Sequence, residues 1–192
     1  MKLIFASNNK KKLEEIKVLL PLSVELLSLA DVNITEDIPE TGDTFKANAL
    51  IKAKYVLSKT GINCFADDSG LEVEALDMRP GVYSARYAGE PKNDEANIDL
   101  LLKELKGKEN RKAQFHTVIA LLINGGTYFF EGIVRGAITA ERMGNNGFGY
   151  DPVFIADGDS KTFAELSLDD KNKISHRSIA VKQLVAFMEK MT

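Results

Sequence analysis

Two neighbouring acids, Asp67 and Asp68, follow the apolar run 62–66 and precede Ser69 and Gly70. Carboxylates on a rigid support at the mouth of a core commonly hold metals and ligands. Adjacent like charges destabilise each other unless a cation or strong hydrogen-bond donors lie between them. Asp-Ser-Gly is also ordinary turn chemistry. The motif alone leaves a ligand site and a surface turn both open.

A cluster of polar and basic residues lies where the first predicted strand meets a helix. Its members are Ser7, Asn8, Asn9, Lys10, Lys11 and Lys12. A helix N-terminus binds anions through its amides and dipole, and lysines there attract phosphate. Three lysines in a first turn oppose the helix dipole, which favours a phosphate site. The alternative is an N-cap followed by a solvated face.

An acid and an aromatic segment could serve a nucleotide. Glu40 stands just before a predicted helix, within reach of a metal, although Asp43 or Thr44 also explains this segment as a helix cap. Residues 148–152 combine two aromatics, a glycine and an acid. Aromatic faces stack on bases and glycine permits close backbone approach. The alternative for 148–152 is a turn with buried rings.

A basic segment near the C-terminus offers further anion contacts. Lys171 supplies a cation, and His176 and Arg177 supply two fixed donors at the start of the last predicted helix. In the alternative interpretation, Ser175 is an N-cap and the basic residues form a solvent-exposed surface. Basic residues at this end of a helix oppose its dipole, as in the first cluster.

The composition limits the classes of function. The 192 residues carry a net charge of −3, which gives no general attraction to nucleic acid or anionic membranes. The single cysteine, Cys64, fits a reducing compartment and is interpreted as a buried structural thiol. One cysteine and two histidines cannot build a typical zinc site, so any metal is expected to be oxygen-bound, like Mg²⁺.

The same sequence contains no apolar run that approaches the length of a membrane span. Its N-terminal apolar run is too short for a signal peptide and meets a lysine cluster at once. We therefore expect a cytoplasmic protein without a membrane partner.

An α/β fold must position these residues. Strands are predicted over 3–6, 24–29, 62–70, 71–76, 113–123, 127–138 and 153–155. Helices are predicted before Pro21 and over about 43–59, 94–106 and 176–190, with a helical turn at 162–166. Asn124-Gly125-Gly126 predicts a hairpin, and 143–152 is a glycine-rich loop. Because helix-separated strands accompany a long hairpin, the sheet should be mixed.

Together the segments supply acids, a basic anion site, aromatic surfaces and polar donors. This set suits a nucleotide with Mg²⁺. The sequence contains neither Gly-x-x-x-x-Gly-Lys-Ser/Thr nor Gly-x-Gly-x-x-Gly, which disfavours a P-loop kinase or a dinucleotide enzyme.

Six motifs in register give the chain a family resemblance. They are Ser7-x-Asn9-x-x-Lys12, Glu40-Thr41-Gly42-x-Thr44-Phe45, Ala66-Asp67-Asp68-Ser69-Gly70-Leu71, the run Pro80 to Tyr87, Phe148-Gly149-Tyr150-Asp151-Pro152 and Ser175-His176-Arg177. In this order, from residue 3 to about 180, they resemble the inosine triphosphate pyrophosphatase family, also called the Ham1/RdgB-like XTP/dITP diphosphatases. The first motif has Asn8 where the family often has glycine.

The resemblance implies a single two-lobed domain over 1–192. Its fold would be α/β, with a long, bent mixed sheet flanked by helices and the active-site cleft between the lobes. The implied activity is Mg²⁺-dependent hydrolysis of the purine nucleoside triphosphates ITP, dITP and XTP to the monophosphate and pyrophosphate, by a homodimer.

The resemblance also implies roles for individual residues. Glu40 and Asp68 would hold Mg²⁺, and Asp68 would also be the catalytic acid/base residue. The six residues of the first cluster would bind the triphosphate. Nucleotide would further contact Ser69, Phe148, Gly149, Tyr150, Asp151, Lys171, His176 and Arg177.

Strand alternation distinguishes the two acids. Neighbouring residues of a strand point to opposite faces, so Asp68 should share a face with Ala66, and Asp67 with Phe65. Asp67 is then expected to be structural. Two rival functions stay open: a Maf-like pyrophosphatase for pyrimidine or modified nucleotides, and a non-catalytic nucleotide-binding module.

Overall fold

A computed structural model describes residues 1–191 of the chain. The strands are β1 (Lys2–Phe5), β2 (Glu25–Leu27), β3 (Cys64–Val73), β4 (Arg79–Pro80), β5 (Lys112–Ile123), β6 (Gly126–Ile138) and β7 (Phe154–Ala156). The helices are α1 (Lys10–Leu19), α2 (Phe45–Thr60), α3 (Asp94–Glu104), α4 (Leu168–Ile174) and α5 (His176–Glu189).

The strands form one mixed sheet in the order β2-β1-β3-β5-β6-β7, with β4 paired to β3. β1 is parallel to β2 and to β3, whereas β3 pairs antiparallel with β4, and β6 with β7. Asn124 and Gly125 connect β5 to β6 with φ values of 50° and 77°. Positive φ at both central residues matches the twist of a two-residue hairpin. The predicted mixed sheet and hairpin are confirmed.

The chain divides into two compact units. Unit 1 comprises 1–68, 117–132 and 177–192, of which Thr192 lies outside the described residues, and unit 2 comprises 69–116 and 133–176. The single two-lobed domain and the cleft between lobes stay predictions.

Unit 1 has two hydrophobic clusters. Phe65 belongs to the one with Phe5, Ile16 and the buried residues of α5, and the Phe5 and Phe65 rings stack at 5.0 Å between centroids. Cys64 and Ala66 belong to the other, with the buried face of α2. Cys64 is fully buried, which raises the pKa of its thiol to about 12. This confirms the interpretation of Cys64 as a buried structural thiol. Unit 2 packs one cluster around Leu71, Leu101 and Phe154.

Local signals explain the bounds of the helices in unit 1. Asn9 caps α1 by accepting from the Lys12 amide, and Thr44 caps α2 by accepting from the Ala47 amide. Gly61 ends α2 in the left-handed region, φ 67°, where a side chain would be strained. No helix within residues 1–191 is long and apolar enough to cross a membrane.

Two predictions of secondary structure were wrong. The predicted strands 62–70 and 71–76 are one continuous strand that ends at Val73, followed by a 3-10 helix at Glu74–Leu76, so Asp67 and Asp68 lie in the interior of the strand. In the sheet β3 neighbours β5 and also pairs with β4 at Glu72 and Val73, and an interpretation of Ser-Gly as a turn does not take these partners into account. The other error is the omission of α4, which follows the predicted helical turn.

Candidate active site

Asp68 contacts two side chains of α2 within unit 1. Asn48 Nδ2 donates to Asp68 Oδ2 at 3.0 Å, and Lys52 Nζ lies 3.5 Å from Asp68 Oδ1. Lys52 Nζ also donates to Glu40 Oε1. Because Asn48 and Lys52 are four residues apart, one face of α2 presents both. Asp68, Asn48, Lys52 and Glu40 therefore form one polar group, which we call the Asp68 cluster.

Burial and charge act in opposite directions on the Asp68 cluster. The side chains of Asp68 and Lys52 are 8% and 9% exposed. Burial raises the pKa of Asp68 above its ordinary 3.8, although the positive charge of Lys52 opposes this. Burial lowers the pKa of Lys52, but the carboxylates of Asp68 and Glu40 outweigh it and raise that pKa. The lysine is thus held charged beside a carboxyl whose pKa lies above its ordinary value.

Asp67 belongs to a second ionic group of unit 1. Lys12 Nζ lies 3.1 Å from Asp67 Oδ1, and Arg177 Nε donates to Asp67 Oδ2 at 3.2 Å. Arg177 Nη1 donates to Glu15 Oε2. Burial would raise the pKa of Asp67, but Lys12 and Arg177 lower it far below its usual range. We call Asp67, Lys12, Arg177 and Glu15 the Asp67 cluster; its central carboxylate is ionised at neutral pH.

The two acids thus lie on opposite faces of β3. Asp67 faces the side of Phe65 and α1, and Asp68 faces the side of Ala66 and α2. Strand alternation predicted this separation, and the structure bears it out. Asp67 is engaged by cations of its own, in agreement with the structural role expected of it.

The residues before Lys12 lie at the N-terminus of α1 and are half-buried or exposed. Ser7 Oγ accepts from the Asn9 amide at 3.2 Å, and Asn8 Nδ2 donates to Asp37 Oδ1 at 3.2 Å. Lys10 and Lys11 are exposed. Lys12 instead turns inward, and burial lowers its pKa despite the Asp67 carboxylate. The N-cap interpretation holds for Asn9, and triphosphate binding by this segment stays a prediction.

Unit 2 joins three of its predicted nucleotide residues in one buried group. Lys171 Nζ donates to Asp151 Oδ2 at 2.6 Å, and the Phe148 amide donates to the same oxygen at 2.9 Å. Lys171 Nζ also lies 5.0 Å from the centre of the Phe148 ring. The side chains of Lys171 and Asp151 are 4% and 3% exposed. Both ions therefore fix the backbone and ring of Phe148, and Phe148 itself is half-buried.

Aromatic rings continue from this group through unit 2. Lys171 Nζ lies 5.7 Å from the Phe163 ring, which stacks on Phe115 at 5.8 Å. His176 also stacks on Phe115, with ring centroids 4.6 Å and planes 9° apart. The Tyr150 hydroxyl donates to the Ser84 carbonyl at 2.9 Å, and its ring is buried. Ser69 is half-buried in the part of β3 that belongs to unit 2.

Three residues of these clusters escaped prediction. They are Asn48, Lys52 and Glu15, all of them buried. For Lys52 the sequence did contain a signal, because it lies on the apolar stripe of α2 next to Ala53, and a buried lysine is rare unless it is paired. Of the predicted site residues, Glu40 and Asp68 meet at Lys52, and Lys12 and Arg177 meet at Asp67.

The donor set of the Asp68 cluster fits a hard cation. Within residues 1–191 no group of three or more His, Cys, Asp or Glu residues could hold a metal ion. Glu40 and Asp68 supply two carboxylates that contact one ammonium group. Mg²⁺ is commonly held by one or two carboxylates and completes its shell with water and substrate phosphates. The residues present therefore suit an ion that arrives with a phosphate ligand.

Comparison with known proteins yields close matches along the whole chain. The model of the Ham1 family matches residues 3–187. A dITP/XTP pyrophosphatase of Flavobacterium johnsoniae is 57% identical over 185 residues, 96% of each chain, and one of Bacillus subtilis is 50% identical over 190 residues, 97% of this chain and 96% of that one. The solved structure of the Staphylococcus aureus Ham1 protein, 42% identical, superposes with a TM-score of 0.91 and covers both chains completely.

Proposed function

Because this chain belongs to the Ham1 family, we propose that it hydrolyses the deaminated purine nucleoside triphosphates ITP, dITP and XTP. The products are the nucleoside monophosphate and pyrophosphate. Relatives at 50–57% identity carry the name dITP/XTP pyrophosphatase. The observation that carries the proposal is the Asp68 cluster, in which a buried carboxylate with a raised pKa lies between an amide donor and a charged lysine.

Asp68 is the proposed general base. Hydrolysis between the α- and β-phosphates forms a bond from the water oxygen to phosphorus, breaks the anhydride bond and releases pyrophosphate. A water held by Asp68 in line with that bond transfers its proton to the carboxylate. Asn48 fixes the orientation of this carboxylate through Oδ2. The raised pKa strengthens Asp68 as a proton acceptor near neutral pH.

Glu40 and Asp68 are the proposed ligands of Mg²⁺. When bound there, the ion neutralises the phosphate oxygens and favours departure of the pyrophosphate. Lys52 contacts both carboxylates and keeps them close together in the protein. Its ammonium group is also suited to contact the substrate's phosphates.

The N-terminus of α1 is the proposed anion site for the triphosphate. Lys10 and Lys11 are exposed there, and the amides of the first turn give a favourable dipole end. Asp67 supports this segment by holding Lys12 at 3.0 Å. We therefore expect that tight binding of the phosphate chain requires an intact Asp67 cluster.

In unit 2, Phe148 is the proposed stacking surface for the base. Its ring is half-buried and braced by Lys171. His176 is the proposed donor to the 6-keto oxygen, because its ring is held in place by Phe115. A donor aimed at a keto oxygen faces an amino group in adenine, and such a mismatch rejects the wrong nucleotide. Arg177 suits this role less well, since Asp67 and Glu15 engage its Nε and Nη1.

Two further properties complete the proposal. The protein acts as a homodimer and works in the cytoplasm, where a pool of nucleoside triphosphates needs clearing of deaminated purines. The homodimer rests on the family resemblance alone, and the location rests on the composition, in which a single cysteine fits a reducing compartment.

The test is a panel of nucleoside triphosphates with Mg²⁺, read by pyrophosphate release. Turnover of ITP and XTP at least about tenfold faster than ATP is expected, since the 6-amino group of adenine leaves the donor unmatched and such a polar mismatch excludes substrates strongly. GTP shares the 6-keto oxygen, so slower turnover of GTP would have to come from contacts at the 2-position of the base. Asp68→Asn keeps the shape of the side chain and serves as the control that should remove most turnover. Equal rates for ITP and ATP, or preferred turnover of UTP or dTTP, would contradict the proposal, and so would near-normal rates in Asp68→Asn.

A further inference from the structure

The glycine-rich loop over 143–150 requires external support. Gly144, Gly147 and Gly149 adopt positive φ values of 82°, 75° and 59°, and no helix or strand includes them. Backbone amides in such a loop lack the partners that regular structure provides. Phe148, the proposed stacking residue, lies between two of these glycines. Its placement therefore depends on the contacts that hold the loop.

Helix α3 contacts the loop at both of its ends. Asp94 Oδ2 accepts from the Gly149 amide at 2.9 Å. Arg142, just before the loop, lies 2.8 Å from Asp99 Oδ1 and 3.2 Å from Glu95 Oε2. All of these residues belong to unit 2. Acids of α3 thus contact the chain on either side of Phe148, at the Gly149 amide and at the Arg142 side chain.

Asp94 is not occupied as the cap of α3. The preceding residue, Asn93, is the N-cap and accepts from the Ala96 amide at 3.0 Å. A carboxylate that accepts from an amide makes a charge-assisted bond, which is stronger than a neutral one. The carboxylate of Asp94 is thereby directed at the loop instead of at its own helix end.

Two contacts fix the orientation of the Phe148 peptide. Its own amide donates to Asp151 Oδ2, and the next amide donates to Asp94 Oδ2, both at 2.9 Å. Asp151 is buried and paired with Lys171, so the first contact belongs to a rigid group. Asp94 is exposed and comes from a separate element. The second contact is therefore the one that ties the loop to α3.

We propose that Asp94 is a positioning residue for the base of the substrate, acting through the Gly149 amide on Phe148. The inference rests on the proposed function, because it takes Phe148 as the stacking surface. The phosphate-binding residues of the proposal all belong to unit 1, whereas Asp94 and Phe148 belong to unit 2. Loss of Asp94 should therefore weaken recognition of the nucleoside and leave recognition of the phosphate chain unchanged.

The experiment compares Asp94→Ala and Asp94→Asn with the native protein in steady-state hydrolysis of ITP. Asp94→Ala should raise KM about tenfold, which corresponds to about 1.4 kcal/mol, with kcat nearly unchanged. Asp94→Asn keeps an acceptor oxygen and should restore part of the loss. Inhibition by inorganic tripolyphosphate, which has the anionic chain without a base, should be the same in all three proteins. Amide hydrogen exchange in 143–150 should be faster in Asp94→Ala.

Glu109→Ala is the matched control, since it removes an exposed acid of unit 2 between α3 and β5. It should leave KM and the exchange of the loop unchanged. An unchanged KM in Asp94→Ala, or a tripolyphosphate inhibition constant that rises in parallel with KM, would overturn the inference while the native activity stands. A native protein that does not hydrolyse ITP would instead overturn the proposed function, and the inference with it.

Discussion

Replacement of Lys52 by methionine tests the electrostatics of the Asp68 cluster. Lys52→Met keeps most of the side-chain volume but removes the ammonium group that contacts Asp68 and Glu40. At 3.5 Å and an effective dielectric constant of about 20, the attraction between Lys52 and Asp68 is about 4.7 kcal/mol. Loss of one partner of a buried pair typically costs about 3–5 kcal/mol of stability.

Protonation of the Asp68 carboxyl, which has lost its lysine in Lys52→Met, limits this loss of stability. A carboxyl with the ordinary pKa of 3.8 is about 3.2 pH units below pH 7. At about 1.36 kcal/mol per unit, the free energy needed to protonate it at pH 7 is about 4.4 kcal/mol. We therefore expect Lys52→Met to lower the free energy of unfolding by about 3–4 kcal/mol at pH 7 without metal. Urea denaturation followed by circular dichroism measures this value.

The pH dependence has a definite sign. Burial already raises the pKa of Asp68, and removal of Lys52 raises it further. A group with a raised pKa in the folded state contributes stability below its unfolded pKa and loses that contribution as the pH rises through the folded value. The deficit of Lys52→Met should thus shrink when the pH is lowered from 7 towards 4. Added Mg²⁺ should also reduce it, because two carboxylates without their lysine attract a cation.

Lys59→Met is the control on the same helix. Lys59 is exposed and lies 3.9 Å from Glu36, and a surface pair of this kind is worth about 0–1 kcal/mol. A deficit in Lys52→Met no larger than that of Lys59→Met would refute the reasoning. So would a deficit that grows on acidification.

Two other substitutions probe the remaining groups. Asp67→Asn should destabilise unit 1 by about 3–5 kcal/mol, because Lys12 and Arg177 lose their shared carboxylate. Since the pKa of Asp67 is lowered in the folded state, its contribution to stability is present above about pH 3.8 and lost at lower pH. Urea denaturation at a series of pH values should therefore show that the stability of the variant depends less on acid. An identical pH dependence in the native protein and the variant would contradict this. Gly147→Ala would place a Cβ 2.0 Å from Asp151 Oδ2 and should raise KM for ITP; Gly158→Ala has a similar φ but open space around it, so equal effects of the two would refute a role for the close approach.

Local chemistry was sufficient to predict several parts of the fold. Asn124-Gly125 has the residue types that a two-residue hairpin needs, and the structure has that hairpin. Gly61 marks the end of α2 because few other residues adopt its φ of 67° without strain. In contrast, the continuity of β3 from Cys64 to Val73 depends on its neighbours β5 and β4, whose positions no signal within 62–76 contains.

The candidate site was predictable to the extent that its chemistry lies in short motifs. Glu40 and Asp68 were identified in this way and do meet, through Lys52. Lys52 lies on the apolar stripe of α2, and its role depends on which strand α2 packs against, which no local pattern shows. Arg177 pairs with residues 110 and 162 positions away in the chain, Asp67 and Glu15. Such pairings are tertiary and leave no local pattern.

The two acids of β3 also determine how that strand can be aligned with its neighbours. In the observed register Ile4 lies opposite Cys64 and Phe5 opposite Phe65. A shift by one residue would turn every side chain of the strand to the other face. Either direction of shift leaves one of the two cationic groups, Lys12 with Arg177 or Lys52, without its carboxylate, at a cost of about 3–5 kcal/mol. Adjacent acids that pair with cations on opposite faces thus stabilise one register of β3 over the two registers shifted by one residue.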